Sequence, residues 1–488
     1  MNQAIRSSWI VAIALFALVF GSITYVQFFA VDDLKSNANN KRALIQYFCD
    51  DRGSILVGGQ AVAESVPSND KCKYQRQYLQ PKLYAGLTGF LTQAYGQTGI
   101  EAAENAQLTG NSDDAFYDRI TQVLSGAQPK GRSVELTIDP EIQKMAFDMI
   151  PDGQIGSIVV MDPKTGAIIA MVSKPSYDTN LLASHDPATV AANYNRLVKI
   201  PGINMYGSKA YKELYSPGSV FKLVDTAAAL ASGKYNKDSV LDNPPVLDLP
   251  GTSVGLPNYA GGGCGARAKA DFAFVLEQSC NTPFAQIALG LGQDAITEQA
   301  TKFGFNQSGL HIPDSVTGSK FPGSKGQLSP ADLARSAVGQ QDVKATPLEI
   351  AMMTAAIANG GKQMAPNMIK SIRTPDLKPV EEFTPRFLRQ STTPQIAAQL
   401  TQWMTGVVDN GIAHAAAVPG VKVAGKTGTA EGNTADPLSK NNAWFTGFAP
   451  ADNPKVVVSI MMADVDIATG AQLTSPNASK LIEAVLNK

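Results

Sequence analysis

The sequence carries no excess of charge of either sign: 41 lysines and arginines stand against 42 aspartates and glutamates. That balance leaves no electrostatic footprint for a phosphate backbone and excludes nucleic acid as an expected partner. Histidine is scarce, with only His185, His311 and His414 in 488 residues. No His-Glu-x-x-His stretch occurs, and none of Cys49, Cys72, Cys264 and Cys280 sits in a Cys-x-x-Cys pair. No zinc site is therefore expected, and no cofactor is called for. Internal repeats and low-complexity tracts are absent too. What remains is a globular composition in a chain too long for one ordinary core, which predicts two or more folded units.

Charge is missing altogether between Ser7 and Val31. This apolar stretch is long enough, as a helix, to cross roughly 30 Å of hydrocarbon. Arg6 precedes it and Asp32 and Asp33 follow, and the positive flank is the one retained in the cytoplasm. No small-x-small cleavage site closes the run, which continues through Tyr25, Val26, Phe28 and Phe29. An uncleaved anchor is thus expected over 7–31, behind a cytoplasmic tail at 1–6, rather than a cleaved signal peptide or a buried core helix. The rest of the chain, with all four cysteines, then lies outside the cytoplasm, where disulfides are permitted.

Beyond the anchor, residues 32 to about 133 are mixed and polar and carry no chemistry by themselves. Asp139-Pro140 supplies an N-cap and a first-position proline for a helix through Ile142, Met145, Ala146 and Ile150, and a new unit is expected near this point. Gly156 to Met161 and Ala167 to Val172 read as a hairpin across Asp162-Pro163-Lys164-Thr165-Gly166. Helical patterns follow at Phe221 to Ala231, Phe272 to Leu276, Phe284 to Leu291 and Leu348 to Ala358. Thr346-Pro347-Leu348-Glu349 predicts a capping box at the start of the last. Strand-like runs at Val421 to Ala424, Ala443 to Phe448 and Val456 to Met462 close the chain. Strands first and last with helices between imply an α+β fold, one antiparallel sheet packed by helices.

Three short motifs carry the chemistry. In Ser216-Pro217-Gly218-Ser219-Val220-Phe221-Lys222, Ser216 can cap and Pro217 fits the first helical position, so Ser219 falls in the first turn. Lys222, three residues on, shares its helix face and can take the serine proton if burial or a nearby cation depresses its reference pKa of about 10.4. Alone this is weak, since Ser68-Asn69-Asp70-Lys71 has the same spacing in a polar loop. Ser279-Cys280-Asn281 interrupts two apolar helical patterns, and Lys426-Thr427-Gly428-Thr429-Ala430 follows a strand-like run. Ser475-Pro476-Asn477 shows that Ser-x-Asn also recurs by chance, but the ordered trio does not arise so easily. Ser-x-x-Lys, Ser-x-Asn and Lys-Thr-Gly form the established set of penicillin-binding proteins and class A β-lactamases.

Each residue type suits acyl transfer. Ser279 can relay a proton between Lys222 and the leaving amine, while Asn281 can hold a substrate backbone group. Gly428 lets a peptide approach the strand edge, Thr427 and Thr429 offer hydroxyls to a terminal carboxylate, and Lys426 adds positive potential. The backbone N–H groups of Ser219 and Thr429 are the expected oxyanion hole.

Through most of its length after the anchor, the sequence resembles the class B penicillin-binding proteins, chiefly the actinobacterial penicillin-binding protein A group. Besides the trio, the resemblance is carried by Ser157 to Pro163 with Thr165 to Met171, Gly339-Gln340, Thr346 to Ala351, Ala358 to Gly361 and Ala443 to Pro450. Arg52-Gly53-Ser54-Ile55 and Tyr95 to Glu101 resemble the non-catalytic domain, although the usual Asp-Arg-x-Gly after Arg-Gly is missing. The resemblance implies a dimerisation-like domain at 32–150 and a transpeptidase domain at 151–488. It further implies D,D-transpeptidation of peptidoglycan stem peptides in septal or elongation synthesis, through a serine acyl-enzyme that β-lactams trap. A polytopic glycosyltransferase and other wall-synthesis proteins are the implied partners, and the membrane the implied location.

Other readings differ in identifiable ways. A β-lactamase lacks support because no Glu-x-x-Leu-Asn follows Ser279. A D,D-carboxypeptidase changes only the acceptor, from an amine to water. A silent scaffold or a β-lactam sensor conflicts with the intact trio and with the short tail before Arg6. Gly251-Thr252-Ser253-Val254-Gly255 mimics a hydrolase elbow, but Pro257 and the Gly261-Gly262-Gly263 run forbid the helix that such an elbow requires. Cys264 ends that glycine run 15 residues before the Ser-x-Asn motif, so a Cys264–Cys280 disulfide restraining Ser279 and Asn281 is expected. A free Cys280 or a distant partner is the alternative. Cys49 with Cys72 is the second expected pair.

Overall fold

A computed structural model of the chain describes residues 3–30, 34, 48–112, 124, 130–259, 263–431 and 440–488. The end of the expected anchor at Val31, its acidic flank Asp32-Asp33, and Gly261-Gly262 lie outside the described residues. Seven helices position the features discussed below: α1 (Gln3–Thr24), α2 (Pro140–Asp148), α3 (Lys222–Ala231), α4 (Phe272–Glu277), α5 (Thr282–Leu291), α6 (Pro347–Ala358) and α7 (Ile467–Leu486). The strands of the two large sheets are β1 (Ile55–Val57), β2 (Gln60–Pro67), β3 (Tyr74–Tyr78), β4 (Ser133–Leu136), β5 (Ile155–Met161) and β6 (Ile168–Lys174). They continue with β7 (Ile369–Arg373), β8 (Pro379–Glu382), β9 (Ala424–Ala430), β10 (Asn441–Ala449) and β11 (Val456–Val465).

Helix α1 runs on through a π-helical turn, Tyr25–Phe29, and the stretch Ile5–Phe29 is long and apolar enough to cross a membrane. Its large side chains, such as Leu18 and Phe28, lie exposed rather than packed on the protein.

The five-stranded sheet has the order β9-β10-β11-β5-β6 and is antiparallel throughout. Two helices cover its opposite faces. Thr446 of β10 bonds Thr354 of α6 through their hydroxyls at 2.7 Å, whereas Gly470 of α7 lies against Ala443, whose odd position puts it on the other side. Helix α2 starts as its sequence dictates: the Asp139 carboxylate accepts from the N–H groups of Glu141 and Ile142, and Pro140 fills the first position. It is fastened to β6 by Gln143, whose amide exchanges hydrogen bonds with both backbone groups of Met171.

The second sheet, β8-β7-β4-β1-β2-β3, does not respect a division at residue 150. Strands β7 and β8 come from deep within 151–488, yet β7 pairs antiparallel with β4, Ile372 opposite Val134. Arg373 and Lys370 on β7 also pair with the buried Glu135 of β4. Local pattern cannot reveal such a pairing, because it joins segments more than 200 residues apart. Set within the apolar core of the smaller unit is a buried ion triad. Glu101 accepts from Arg52 Nη2 at 2.8 Å and from Arg76 Nε at 2.6 Å, and all three side chains are sealed from solvent. This explains why two separate segments, one at Arg52 and one ending at Glu101, carry the resemblance in that region.

Two local expectations need correction. The capping box of α6 forms only by half: Thr346 Oγ1 accepts from Glu349 N–H at 3.0 Å, but the Thr346 N–H donates to Ser319 Oγ instead of Glu349. A long-range hydroxyl has displaced the local partner. The strand expected at Val421 to Ala424 lies downstream, at Ala424–Ala430, so the Lys-Thr-Gly motif forms the strand itself instead of trailing it. Its buried side holds Lys426 and Gly428 between two alanines, which no strong apolar alternation betrays.

Candidate active site

Strand β9 is an edge strand, and its partner β10 fixes what it presents. Lys426 pairs with Thr446 and Gly428 with Trp444, so these four share the sheet face covered by α6. Thr427 and Thr429 alternate with them and remain partly exposed. On the covered face, Trp444 Nε1 donates to Ser216 O at 2.9 Å and anchors the segment that leads to Ser219.

Ser219 lies in a 3-10 turn, Gly218–Phe221, that runs directly into α3, and its side chain is half-buried. Ser216 does not cap this turn; its hydroxyl accepts from Lys344 Nζ at 2.8 Å. The turn is seated by close backbone approaches. Gly218 adopts φ 54°, and a side-chain carbon there would come within 2.6 Å of Thr429 O. Its N–H donates to Gly339 O at 3.0 Å. A side chain on Gly428 would meet Pro217 O at 2.6 Å and Val220, so the space left by this glycine is filled by the serine turn rather than left open for a peptide.

Lys222 and Lys426 converge on the Ser-x-Asn loop between α4 and α5. Lys222 Nζ donates to Ser279 O at 2.7 Å and Asn281 Oδ1 at 2.7 Å, with Ser279 Oγ at 3.4 Å. Lys426 Nζ donates to Ser279 Oγ at 2.7 Å and to Thr427 O at 2.9 Å. Ser279 is buried in the left-handed backbone region at φ 56°, a costly conformation for a serine that the surrounding contacts hold. The loop is stapled by the Cys264–Cys280 disulfide, and a second disulfide joins Cys49 to Cys72.

The electrostatics are unusual for a protein interior. Both lysines are fully buried. Burial, and then the neighbouring Lys426, hold the Lys222 amine well below an ordinary lysine, with Asp225 opposing. Burial alone brings Lys426 down to about 7. Asp225, one helical turn beyond Lys222, escaped the sequence reading. It is fully buried, neither carboxyl oxygen has a hydrogen-bond partner, and burial raises its carboxyl well above the usual range against the pull of Lys222. An aspartate in the apolar run after Phe221 was the available signal.

The look-alike motifs are placed elsewhere. Ser68 and Lys71 lie beyond β2 in the smaller unit, Ser475-Pro476-Asn477 is inside α7, and Ser253 is exposed in a turn. Among the described residues, one group of potential metal ligands gathers, Asp70, Cys72 and His185. The Cys72 sulfur is committed to its disulfide, and His185 Nδ1 to Asp70.

A half-buried serine on a helix-opening turn, two buried lysines meeting at a second serine, and an open strand edge beside them make up a serine acyl-transferase type of site. Residues 156–483 match the penicillin binding protein transpeptidase domain, and the chain belongs to that family. Residues 52–134 match the penicillin binding protein A dimerisation domain. The peptidoglycan D,D-transpeptidase PbpA of Mycobacterium tuberculosis is 37% identical over 100% of this chain and 99% of its own length. The protein of the same name from Mycolicibacterium smegmatis is 36% identical over 100% of both. Among solved structures, the ceftriaxone acyl-enzyme of penicillin-binding protein A from M. tuberculosis superposes with a TM-score of 0.84 at 36% identity, covering 91% of this chain and 100% of that one. The D,D-transpeptidase domain of a peptidoglycan glycosyltransferase from Eggerthella lenta gives 0.76 at 31% identity, covering 90% and 98%.

Proposed function

We propose that the chain is a peptidoglycan D,D-transpeptidase in which Ser219 attacks the D-Ala-D-Ala carbonyl of a stem peptide and forms an acyl-enzyme that an amine of a second stem peptide resolves. The observation that carries this reading is the convergence of two buried lysine amines on Ser279 beside the serine turn. A neutral Lys222 takes the Ser219 proton as the Oγ–carbonyl bond forms. Ser279 passes the proton to the departing D-alanine nitrogen as the peptide C–N bond breaks, and the same relay serves in reverse for the incoming amine. The N–H groups of Ser219 and Thr429 face the developing oxyanion, where losing one donor costs about 10² to 10³ in rate. The donor peptide adds to the open edge of β9, with Thr427 and Thr429 toward its carboxylate and Lys426 supplying positive potential behind them. Asn281 orients Lys222 and keeps amide N–H capacity toward the substrate.

A β-lactam presents the same acyl carbon and carboxylate and stops at the acyl-enzyme. The N-terminal helix anchors the chain with Arg6 in the cytoplasm and the catalytic unit outside, in reach of a polytopic glycosyltransferase partner. The test is covalent labelling with a fluorescent penicillin: Ser219→Ala abolishes it while the folded protein persists. Labelling that survives at another serine contradicts the assignment.

A further inference from the structure

Helix α5 begins at Asn281, but the Asn281 side chain does not cap it. Asparagine is among the best capping residues because its side-chain oxygen accepts the free N–H groups of the first turn. Here that amide is committed elsewhere: Oδ1 accepts from Lys222 Nζ, and Nδ2 donates to Pro257 O at 2.9 Å. The N–H groups of the cap residue itself and of the first helical residue are held by another asparagine. Asn258 Oδ1 accepts from the N–H of Asn281 at 2.7 Å and of Thr282 at 3.0 Å.

Asn258 is held in its turn. Its Nδ2 donates to Asn243 Oδ1 at 2.8 Å and to Pro244 O at 3.1 Å. Asn243, buried, donates to Cys264 O and Arg267 O at 2.8 Å each, and its Oδ1 also accepts from Thr282 Oγ1 at 3.3 Å. A chain of amides therefore runs from the turn bearing Cys264 to the start of α5. It meets the disulfide again at Cys280, the residue between Ser279 and Asn281.

We propose that Asn258 is a positioning residue for acylation, which holds the backbone of Asn281 and Thr282 at the start of α5 and so keeps the Asn281 amide on Lys222. The inference rests on Lys222 being the base that activates Ser219. Asn258 touches no reacting atom; it acts through Asn281. Without it, two backbone N–H groups lose their acceptor, the backbone at Asn281 is no longer held, and the Asn281 amide shifts with it. Lys222 then loses an acceptor that fixes its amine. A displacement of about 1 Å at such a group costs on the order of 10²-fold in rate.

The experiment uses the full chain in detergent and a fluorescent penicillin, with acylation rates followed across pH and thermal unfolding in parallel. Asn258→Ala is expected to slow acylation by about 10²-fold and to move its pH profile. The double variant Asn258→Ala/Asn281→Ala is expected to be no slower than Asn281→Ala alone, because both changes remove one contact. Asn258→Ser keeps a hydroxyl that can accept from these N–H groups and donate toward Asn243, and should recover part of the rate; it also serves as the test if Asn258→Ala does not fold. Multiplying effects in the double variant overturn the inference. So does a wild-type rate and pH profile in Asn258→Ala beside a slow Asn281→Ala, or an Asn258→Ser as slow as Asn281→Ala. Wild-type acylation by Lys222→Ala removes the base assignment beneath it, a failure distinct from the others because it does not involve Asn258.

Discussion

In the smaller unit, Glu101 lies between Arg52 and Arg76 and each positive group finds the carboxylate within 2.8 Å. In the catalytic unit, Lys222, Lys426 and Asp225 are as deeply buried, yet the lysines bond neutral oxygens and the carboxyl bonds nothing. Burial disfavours the charged form in both clusters, with opposite results. Around Glu101 it tends to raise the pKa, but Arg76 and Arg52 outweigh it and the carboxylate stays below its usual range. Around Lys222 the one opposing charge, Asp225, does not outweigh burial and Lys426, and the amine is driven toward its neutral form. The paired cluster holds structure together. The unpaired one leaves its lysine amines perturbed, as groups at functional sites so often are.

The comparison breaks most forcefully at Glu101. Glu101→Ala leaves two arginines buried without a counter-charge and should cost about 3–5 kcal/mol, seen as early unfolding of the smaller unit in thermal denaturation or limited proteolysis. A stability within experimental error of wild type means that the triad is not what holds that unit. Asp225→Asn is expected to have a much smaller effect and of a different kind. Removing a group that favours the charged amine lets Lys222 stay neutral to lower pH, so the acid limb of the acylation profile moves down while thermal stability holds or rises. An unmoved acid limb shows that Asp225 does not speak to Lys222.

Much of the site was legible because its signals are local. The Asp139-Pro140 start of α2 emerges from capping alone, and the polar loop between two apolar helical runs from periodicity, whereas the Ser219 turn, which Ser216 does not cap, stood out only through the ordered set of three motifs. What was not legible came from partners distant in the chain. Strand β7 joins a sheet begun more than 200 residues earlier, Ser319 takes the donor meant for Glu349, and the serine turn occupies the space that Gly428 leaves. The β9 strand was displaced for a related reason: its inward positions are Lys426 and Gly428, meaningful only once Ser279 and Pro217 are seen opposite them. Asn258 belongs to the same class, an ordinary turn residue until its two backbone partners are known.

The pH dependence of acylation by a fluorescent penicillin tests the central claim, that the buried lysine is a neutral base. With Lys222 depressed by burial and by Lys426, the rate reaches its maximum well below an ordinary lysine's value of about 10.4. It then declines as Lys426 loses its charge above about 7. The two limbs belong to the coupled pair rather than to either lysine alone. A rate that climbs steadily up to pH 10, with no decline on the way, contradicts the account.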